Sequence, residues 1–354
     1  MTSTKRLEIL HVVCSDAFTG VEHYIAYTAN ALSMFGHGVT VIGGDPAAMS
    51  STLNPSGVRY LPASSGRSVV RVLTSLAIRR RQPDLVHVHM TEAELAAGIT
   101  KPLLRRPVVT TLHFARTRGS TMVRRRLFRV LPHVFDAQIA ISSYVALTTK
   151  QDCFVVPPGV PTPTLNGQPE RSDGRQPVVL VAQRFEPEKR TLSAITVWAA
   201  SGLAEQGWEL HLAGKGRDDL ALRHETIRLG VDQSVRFLGF VDDLPARMQA
   251  ASILLATADR EPFGLSVVEA MATALPVVAA RGGGHLETVG PVTSDFLYDP
   301  TDTEAGGAAL RRLALDPVVR QAYGRALRSR YQAEYTVDRH ARSLIDVYRR
   351  VLNG

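Results

Sequence analysis

The stretch Glu261-Pro-Phe-Gly-Leu-Ser-Val-Val-Glu269-Ala-Met-Ala carries two carboxylates eight residues apart. Pro262 and Gly264 favour an irregular loop, and residues 265–273 contain no helix breaker. A rise of about 1.5 Å per residue places Glu269 roughly one turn past the start of this helix. The first turn of a helix has unpaired N–H groups and partial positive charge, so it can hold a diphosphate. We therefore expect an anion-binding turn with a carboxylate on either side, which suits a nucleotide bearing a sugar.

Length and composition are those of a globular protein. With 354 residues, of which 45% are hydrophobic, the chain is long enough for two domains. The two cysteines, Cys14 and Cys153, exclude a disulfide scaffold and favour a reducing compartment. The N-terminus lacks the pattern of a signal peptide, and no apolar run reaches about 18 residues. We expect a cytoplasmic protein.

Strand-like and helix-like segments alternate along the chain, which predicts βαβ units and parallel sheets. The first series of apolar runs covers residues 7–14, 39–43, 85–89, 108–112 and 137–141. The second covers residues 178–182, 209–213, 235–237, 253–256 and 276–280. A passage rich in proline at 157–163, followed by polar residues 166–176, separates the two series and is typical of a linker. The fold class is therefore α/β, with two Rossmann-like domains facing each other across a cleft, and a last helix at 338–352.

The E-x7-E spacing of Glu261 and Glu269 resembles the motif of the retaining GT-B glycosyltransferases of family 4. The resemblance extends over most of the chain. It implies an N-terminal acceptor-binding domain (1–163), a C-terminal donor-binding domain (164–334) and a helix (335–354) that packs back on the N-terminal domain. In this family Glu261 would hold hydroxyls of the transferred sugar and Glu269 would anchor the ribose. The backbone of Phe263, Gly264, Leu265 and Ser266 would complete the donor site.

The segment Gln183-Arg-Phe-Glu-Pro-Glu-Lys-Arg190 resembles the G-R-x-x-x-x-K-G turn of the same family. By this resemblance Arg184 and Lys189 bind the donor phosphates and stabilise the leaving diphosphate. The residue types suit that role, since Arg has a planar fork that matches phosphate oxygens and Lys is a compact charge. The turn departs from the family at both ends, where Gln183 and Arg190 replace glycines.

Two further segments resemble parts of the family's donor site. Gly214 and Gly216 end a strand as a G-x-G, which allows close approach of a ligand. The segment that follows residues 235–237 resembles the one that reads the nucleotide base, through the backbone of Val241. Asp243 could accept from a guanine edge or cap the following helix.

Weaker signals lie in the first half. Gly20 stands in a segment that resembles the family's G-G-x-E loop over the donor phosphates, with Thr19 in place of the first glycine. His113 resembles the histidine that ends a T-x-H strand and faces the transferred sugar, a catalytic role. His87 and His89, with Glu92 and Glu94 after them, are interpreted as strand-end or acceptor-side groups, because their spacing does not argue for a metal site. We predict no metal ligands.

The net charge of +8 arises in the first half, most densely between Lys101 and Arg129. Arginines there alternate with apolar residues, so a helix would have a cationic face and an apolar face. Such a stretch (101–129) could contact an anionic membrane at the inner face of the cell, bind a phosphorylated acceptor, or simply be solvated. It lacks a nucleic-acid-binding motif, so we expect no nucleic-acid partner.

Together with the resemblance, these features predict a bacterial retaining hexosyltransferase of glycan, glycolipid or natural-product glycoside biosynthesis, which uses a UDP-sugar or alternatively a GDP-sugar. The sequence leaves the hydroxyl acceptor open, with lipid-linked and phosphorylated compounds as candidates. No cofactor or catalytic metal is expected. Three alternatives remain: a catalytically silent nucleotide-sugar-binding protein, an inverting GT-B enzyme and a Rossmann oxidoreductase. The last is disfavoured because the turn after the first strand, Cys14 to Gly20, lacks G-x-G-x-x-G.

Overall fold

The computed structural model describes residues 5–16, 18–78, 82–115, 134–149, 152–164 and 176–354. The chain forms two compact units. Unit 1 comprises Met1–Pro161 with Thr336–Gly354, and unit 2 comprises Thr162–Tyr335. Each unit is built on its own parallel sheet.

Unit 1 has a seven-stranded sheet in the order β3-β2-β1-β4-β5-β6-β7. Its strands are β1 (Glu8–Val13), β2 (Gly38–Ile42), β3 (Val58–Leu61), β4 (Leu85–His89), β5 (Val108–Leu112), β6 (Ala137–Ala140) and β7 (Phe154–Val155). Its described helices are Gly20–Met34, Pro46–Thr52, Gly66–Ile78, Thr91–Leu104, Ser143–Thr149 and Val337–Asn353.

The sheet of unit 1 is covered on both faces, as its sequence indicates. Every residue of β4 and β5 is buried, which is typical of a parallel strand with helices on both sides. Successive side chains of a strand point to opposite faces. Accordingly, β1 contributes Ile9 and Val13 to one apolar cluster, and Leu10 and Val12 to the other.

The C-terminal helix Val337–Asn353 belongs to the core of unit 1. Thr336 caps its first turn by accepting from the Arg339 amide at 3.3 Å. Its buried residues recur at helical spacing and include Leu344 and Tyr348 in the first apolar cluster. This helix therefore completes one face of the sheet.

Unit 2 has a six-stranded sheet in the order β10-β9-β8-β11-β12-β13. Its strands are β8 (Val178–Ala182), β9 (Glu209–Ala213), β10 (Val235–Gly239), β11 (Ile253–Ala256), β12 (Val277–Ala280) and β13 (Leu297–Tyr298). Its described α-helices are Thr191–Ser201, Asp219–Arg228, Leu244–Ala250, Leu265–Ala272, His285–Thr288, Thr303–Leu315 and Pro317–Glu334. Short 3-10 helices lie at Pro187–Lys189, Ala204–Gln206 and Asp232–Ser234.

The predicted α/β class with two Rossmann-like domains is confirmed, and each predicted apolar run overlaps a strand. Sequence reasoning missed the strands β3, β7 and β13, which are short. Among the described residues, we find no helix with the length and apolar character needed to cross a bilayer.

Candidate functional site

The predicted donor-binding residues of unit 2 lie in loops at one edge of its sheet. These loops follow β8, β9, β10, β11 and β12 at their carboxyl ends. Because the strands are parallel, their carboxyl ends share an edge, and ligands of open α/β sheets bind there. The topology thus brings together segments that are far apart in sequence.

Lys189 and Glu261 meet at this edge. Lys189 Nζ donates to Glu261 Oε2 at 2.6 Å, and the two side chains are only 21% and 13% exposed. Lys189 ends the 3-10 helix Pro187–Lys189, and Glu261 lies in the loop after β11. The predicted phosphate-binding cation and the predicted sugar-binding carboxylate are therefore in direct contact.

The surroundings of Glu261 keep it ionised. Burial alone would raise the pKa of its carboxyl, but the charges of Lys189 and His285, with hydrogen bonds from Lys189 and the Gly264 amide, lower it below its ordinary value. His285 is buried, and one of its ring nitrogens, Nδ1, lies 3.0 Å from the Ala280 carbonyl oxygen. Burial lowers the pKa of His285, while the charge of Glu261 opposes that shift. Glu261 is thus a carboxylate ready to accept hydrogen bonds.

The helix Leu265–Ala272 begins directly after this loop. Gly264 precedes it with a φ of 95°, in the left-handed region that favours glycine. Leu265 and Ser266 are its first two residues, whose amides have no partner within a helix. Phe263 is buried, with its ring 5.7 Å from that of Tyr335, which fixes the loop. The helix start therefore presents amide donors beside Glu261, as expected of an anion-binding turn.

Glu269 lies one turn inside this helix and is partly buried. Desolvation raises the pKa of its carboxyl to about 7. Within the described chain, the carboxylate has no hydrogen-bond partner. A ligand with hydroxyl donors could supply the missing hydrogen bonds.

Arg184 differs from Lys189 in its environment. Its guanidinium pairs with Glu188 at 3.2 Å, and both side chains are well exposed. Surface pairs of this kind contribute little, at most about 1 kcal/mol, so Arg184 is easily released to an anionic ligand. The structure places it in the same turn as Lys189, but not in contact with Glu261.

Gly214 and Gly216 pack against another loop. A Cβ at Gly214 would lie 1.9 Å from the Gln183 carbonyl oxygen, and one at Gly216 would lie 2.3 Å from that of Phe185. Glycine is therefore required at these two positions because the loop after β9 approaches the loop after β8 closely. It brings the G-x-G against the turn that carries Arg184 and Lys189.

A cavity of about 490 Å³ opens beside the G-x-G. Its lining includes Lys215, Gly216, Arg223 and Phe240, and Phe240 is 67% exposed. Val241, predicted to contact the base through its backbone, follows directly in sequence. The lining combines aromatic and cationic side chains, both of which can contact the face of a flat ring system.

Asp243 is a helix cap. Its carboxylate accepts from the Ala246 amide at 2.9 Å, at the start of the helix Leu244–Ala250. Of the two roles that the sequence allows for Asp243, contact with a guanine edge or capping of the following helix, the structure shows the capping.

In unit 1, Gly20 begins the helix Gly20–Met34, and the loop before it is held by Glu22. The Glu22 carboxylate accepts from the Thr19 amide at 2.8 Å and from the Ser15 hydroxyl at 2.6 Å. His113 directly follows β5 and is buried. Both residues lie where the sequence predicts them, at the carboxyl edge of the unit 1 sheet.

His89 is the last residue of β4, as the strand-end interpretation expects, whereas His87 lies in the middle of the strand, and both are fully buried. His89 Nδ1 lies 3.1 Å from His113 Nε2, and His89 Nε2 lies 3.0 Å from His11 Nδ1. His87 Nδ1 lies 2.6 Å from the Tyr348 hydroxyl. The histidines thus form a hydrogen-bonded network in the core of unit 1.

The same network contains the one group of residues in the described ranges that meets a geometric criterion for metal binding. One ring nitrogen from each of His11, His87 and His89 lies within 4.8 Å of the others. Burial lowers the pKa values of all three, so each is neutral and able to ligate. Most of these nitrogens already have hydrogen-bond partners, which an ion would have to displace.

The second half of the basic stretch, residues 116–129, lies outside the described residues, which end at 115 and resume at 134. Lys101, at its start, pairs with Asp136 at 2.8 Å and also donates to the Val134 carbonyl. Arg105 and Arg106 are exposed. The membrane contact of residues 101–129 stays a prediction, with Lys101 committed to an intramolecular ion pair.

Several site residues were missed by sequence reasoning. Arg190 pairs with Asp259, the Gln183 amide contacts the backbone of Lys189, and His285 faces Glu261. The signal that could have found the first two is the pair of departures from the family turn. Their partners are distant in sequence, so the contacts themselves required the fold.

Comparison with known proteins identifies the family. Residues 165–330 match the model of "Glycosyl transferases group 1", and residues 18–163 match that of "Glycosyltransferase Family 4". These two matches together span most of the chain, which therefore belongs to glycosyltransferase family 4 and is a transferase.

Two of the relatives are similar along most of their length. The glycogen synthase of Mycobacterium tuberculosis is 24% identical, with 93% of this chain and 90% of the relative covered. The phosphatidyl-myo-inositol mannosyltransferase of Mycobacterium leprae is 26% identical, with 88% and 89% covered. The structure of Anabaena HepE in complex with UDP and glucose has a TM-score of 0.79 and 21% identity, covering 97% of this chain and 99% of HepE. This last likeness shows the GT-B fold.

Proposed function

We propose that this protein transfers a sugar from a nucleoside-diphosphate sugar to a hydroxyl group of an acceptor, with retention of the anomeric configuration. The contact between Lys189 and Glu261 carries this proposal, because a phosphate-type cation and a sugar-type carboxylate meet beside the start of a helix. A diphosphate would lie against Lys189 and the first amides of the helix Leu265–Ala272. The sugar attached to it would then reach Glu261.

The remaining residues support the two ends of the donor. Glu269, with its unsatisfied carboxylate, would accept from the ribose hydroxyls. The cavity bounded by Phe240 and Arg223 would take the base. The backbone of Val241, the residue after Phe240 in sequence, would contact it. Arg184 would leave Glu188 and join Lys189 on the phosphates.

The reaction itself is a group transfer at the anomeric carbon. The bond from that carbon to the distal phosphate oxygen breaks, and a bond to the acceptor oxygen forms on the same face of the sugar. The acceptor's proton passes to the departing phosphate, whose growing charge is offset by Lys189 and Arg184. These cations serve the purpose for which other enzymes use a metal, so we expect turnover in the presence of EDTA.

We favour a UDP-sugar as donor and a GDP-sugar as the alternative, and an acceptor that carries phosphate. HepE, of similar fold, is known in complex with UDP and glucose, which supports the first choice. The relative named phosphatidyl-myo-inositol mannosyltransferase supports a phosphate-bearing acceptor. The exposed Arg105 and Arg106 and the basic stretch that follows them agree with this choice.

Calorimetric binding of UDP, GDP and NADH to the purified chain, with EDTA present, tests the donor class. We expect binding of UDP or GDP in the micromolar range, and binding of NADH alone would favour an oxidoreductase. Transfer is then measured with UDP-glucose and GDP-mannose, using phosphatidylinositol vesicles and inositol phosphate as acceptors. Nucleotide binding without transfer or donor hydrolysis would indicate a silent binding protein. Nuclear magnetic resonance of the product distinguishes retention from inversion.

A further inference from the structure

The turn after β8 departs from the family pattern at Gln183 and Arg190. At Arg190 the structure shows backbone strain. Arg190 has a φ of 53°, in the left-handed region. This conformation is strained for a residue with a Cβ, whereas a glycine adopts it freely. Such strain persists only where the surroundings hold the residue in place.

The Arg190 guanidinium provides that hold. Its Nη1 pairs with Asp259 Oδ2 at 2.8 Å, and its Nη2 donates to the Pro300 carbonyl at 3.0 Å. Asp259 follows β11 in the loop that carries Glu261, and Pro300 follows β13. One side chain therefore ties three loops of the sheet edge together.

Gln183 holds the same turn from its other side. Its Nε2 lies 3.0 Å from the Lys189 carbonyl oxygen and 3.0 Å from the Thr191 hydroxyl. Thr257, in the loop after β11, donates its hydroxyl to the same Lys189 carbonyl at 2.9 Å, and lies 3.0 Å from Gln183 Nε2. The backbone of Lys189 is thus fixed by two side chains.

We propose that Gln183 and Arg190 are a pair of positioning residues that fix the backbone of Lys189 and the loop of Glu261, and so set where the Lys189 ammonium meets the donor diphosphate. A glycine at both positions could make neither contact. The inference rests on the proposed function only in assigning the diphosphate to Lys189. The ordering of the turn follows from the contacts themselves.

The ordering is tested on the free protein by hydrogen–deuterium exchange of peptides covering residues 186–191. Arg190→Gly keeps the left-handed conformation accessible and removes the guanidinium, and Gln183→Ala removes the amide. We expect exchange to accelerate about tenfold in both variants, since each loses contacts that limit local opening. Arg312→Ala, which removes an exposed arginine paired with Asp295 at 3.2 Å, is the control and should leave these peptides unchanged.

The effect on ligand is measured as the ratio of diphosphate to monophosphate affinity, with UDP against UMP, or GDP against GMP. Lys189 acts on the diphosphate, so this ratio should fall about tenfold in Arg190→Gly and in Gln183→Ala. In a protein that already carries Lys189→Ala, the same two substitutions should change the ratio less than about twofold. If Gln183 and Arg190 act only by positioning Lys189, their substitution has little further effect once the Lys189 ammonium is gone. A merely structural role would lower both affinities together.

The outcomes separate this inference from the proposed function. If neither UDP nor GDP binds the native protein, the proposed function fails, while the exchange data still decide the ordering of the turn. Unchanged exchange in both variants would overturn the positioning role, even where a nucleotide binds. An equal fall of the affinity ratio with and without Lys189 would overturn it as well, since the two residues would then act by another route.

Discussion

Lys189 Nζ and Glu261 Oε2 lie 2.6 Å apart, although 72 residues separate them in sequence. A partly buried pair of this kind is a weak source of stability, because desolvation offsets much of the attraction. The same contact places opposite charges where a sugar phosphate would present hydroxyls and phosphate oxygens. We therefore expect this ion pair to open when a ligand binds, so that Lys189 contacts the phosphate and Glu261 contacts the sugar.

The first prediction concerns Glu261→Gln, which keeps the shape of the side chain and removes its charge. Transfer should fall about 100-fold or more in kcat, the scale for loss of one transition-state contact. The Kd for UDP, which lacks the sugar, should change less than about threefold. Steady-state kinetics and calorimetry measure the two quantities.

Glu304→Gln is the matched control, because Glu304 is exposed on a helix of unit 2. This variant should keep the native kcat and the native Kd for UDP. A loss of UDP affinity as large as the loss of turnover would show that Glu261 acts on the nucleotide instead.

The second prediction concerns the pH dependence of donor binding. The folded-state pKa of Glu269 is raised to about 7, so this carboxyl is protonated below that pH and ionised above it. If only the ionised form accepts both ribose hydroxyls, affinity for UDP-glucose should rise about tenfold between pH 6 and pH 8. UDP-glucose is the probe because its diphosphate does not titrate in this range. Calorimetry at several pH values measures the rise.

The same shift has the opposite sign for stability. A raised pKa means that the folded state keeps a proton that the unfolded chain has already lost, so the free energy of unfolding falls as pH rises from 4.5, the ordinary value, to about 7, and stays at its lower level above that pH. Glu269→Gln should therefore raise the melting temperature relative to the native chain at pH 8 and not at pH 4, and should flatten the pH dependence of binding. A steep dependence that survives in Glu269→Gln would assign it to another group.

The strands of both sheets were predictable because buried parallel strands are continuous apolar runs. β8 and β9 were predicted with the bounds that the structure shows. The missed strands have only short or interrupted apolar runs. β3 includes the exposed Arg59, and β13 has only two residues, held by pairing with β12. Their existence depends on neighbours that local sequence does not specify.

Positions in the site were predictable where a local motif carries the chemistry, as for Lys189 and Glu261. Contacts between motifs were not. The pairing of Arg190 with Asp259 joins residues 69 apart, and nothing local to either indicates the other. His87 was interpreted as a strand-end group, but the β4 register buries it against Thr111 and Tyr348. A polar residue in an apolar strand is explained only once its partners are known.

The third prediction concerns this last contact. Tyr348→Phe removes the hydroxyl that lies 2.6 Å from His87 Nδ1 and leaves a fully buried ring nitrogen without that partner. The free energy of unfolding should fall by about 1–3 kcal/mol, the penalty for an unsatisfied buried polar group. Urea unfolding, followed by a probe in unit 1, measures the change.

Tyr60→Phe is the control, because the Tyr60 hydroxyl donates to the Gly44 carbonyl at 3.1 Å from a half-buried position that water can fill. If the two substitutions lower the free energy of unfolding equally, burial of the contact between Tyr348 and His87 does not increase its contribution to stability.

The last prediction concerns Phe240, a residue that is 67% exposed beside the cavity that we assign to the base. Stacking of a base on an aromatic ring is worth about 1–3 kcal/mol and is indifferent to base identity. Phe240→Ala should therefore weaken UDP and GDP by the same factor, about tenfold or more, and leave pyrophosphate binding unchanged. Val318→Ala, at an apolar residue 76% exposed in the same unit, should alter none of the three affinities. If pyrophosphate weakens as much as UDP, Phe240 supports the loops of the site rather than the base, and the cavity loses its assignment.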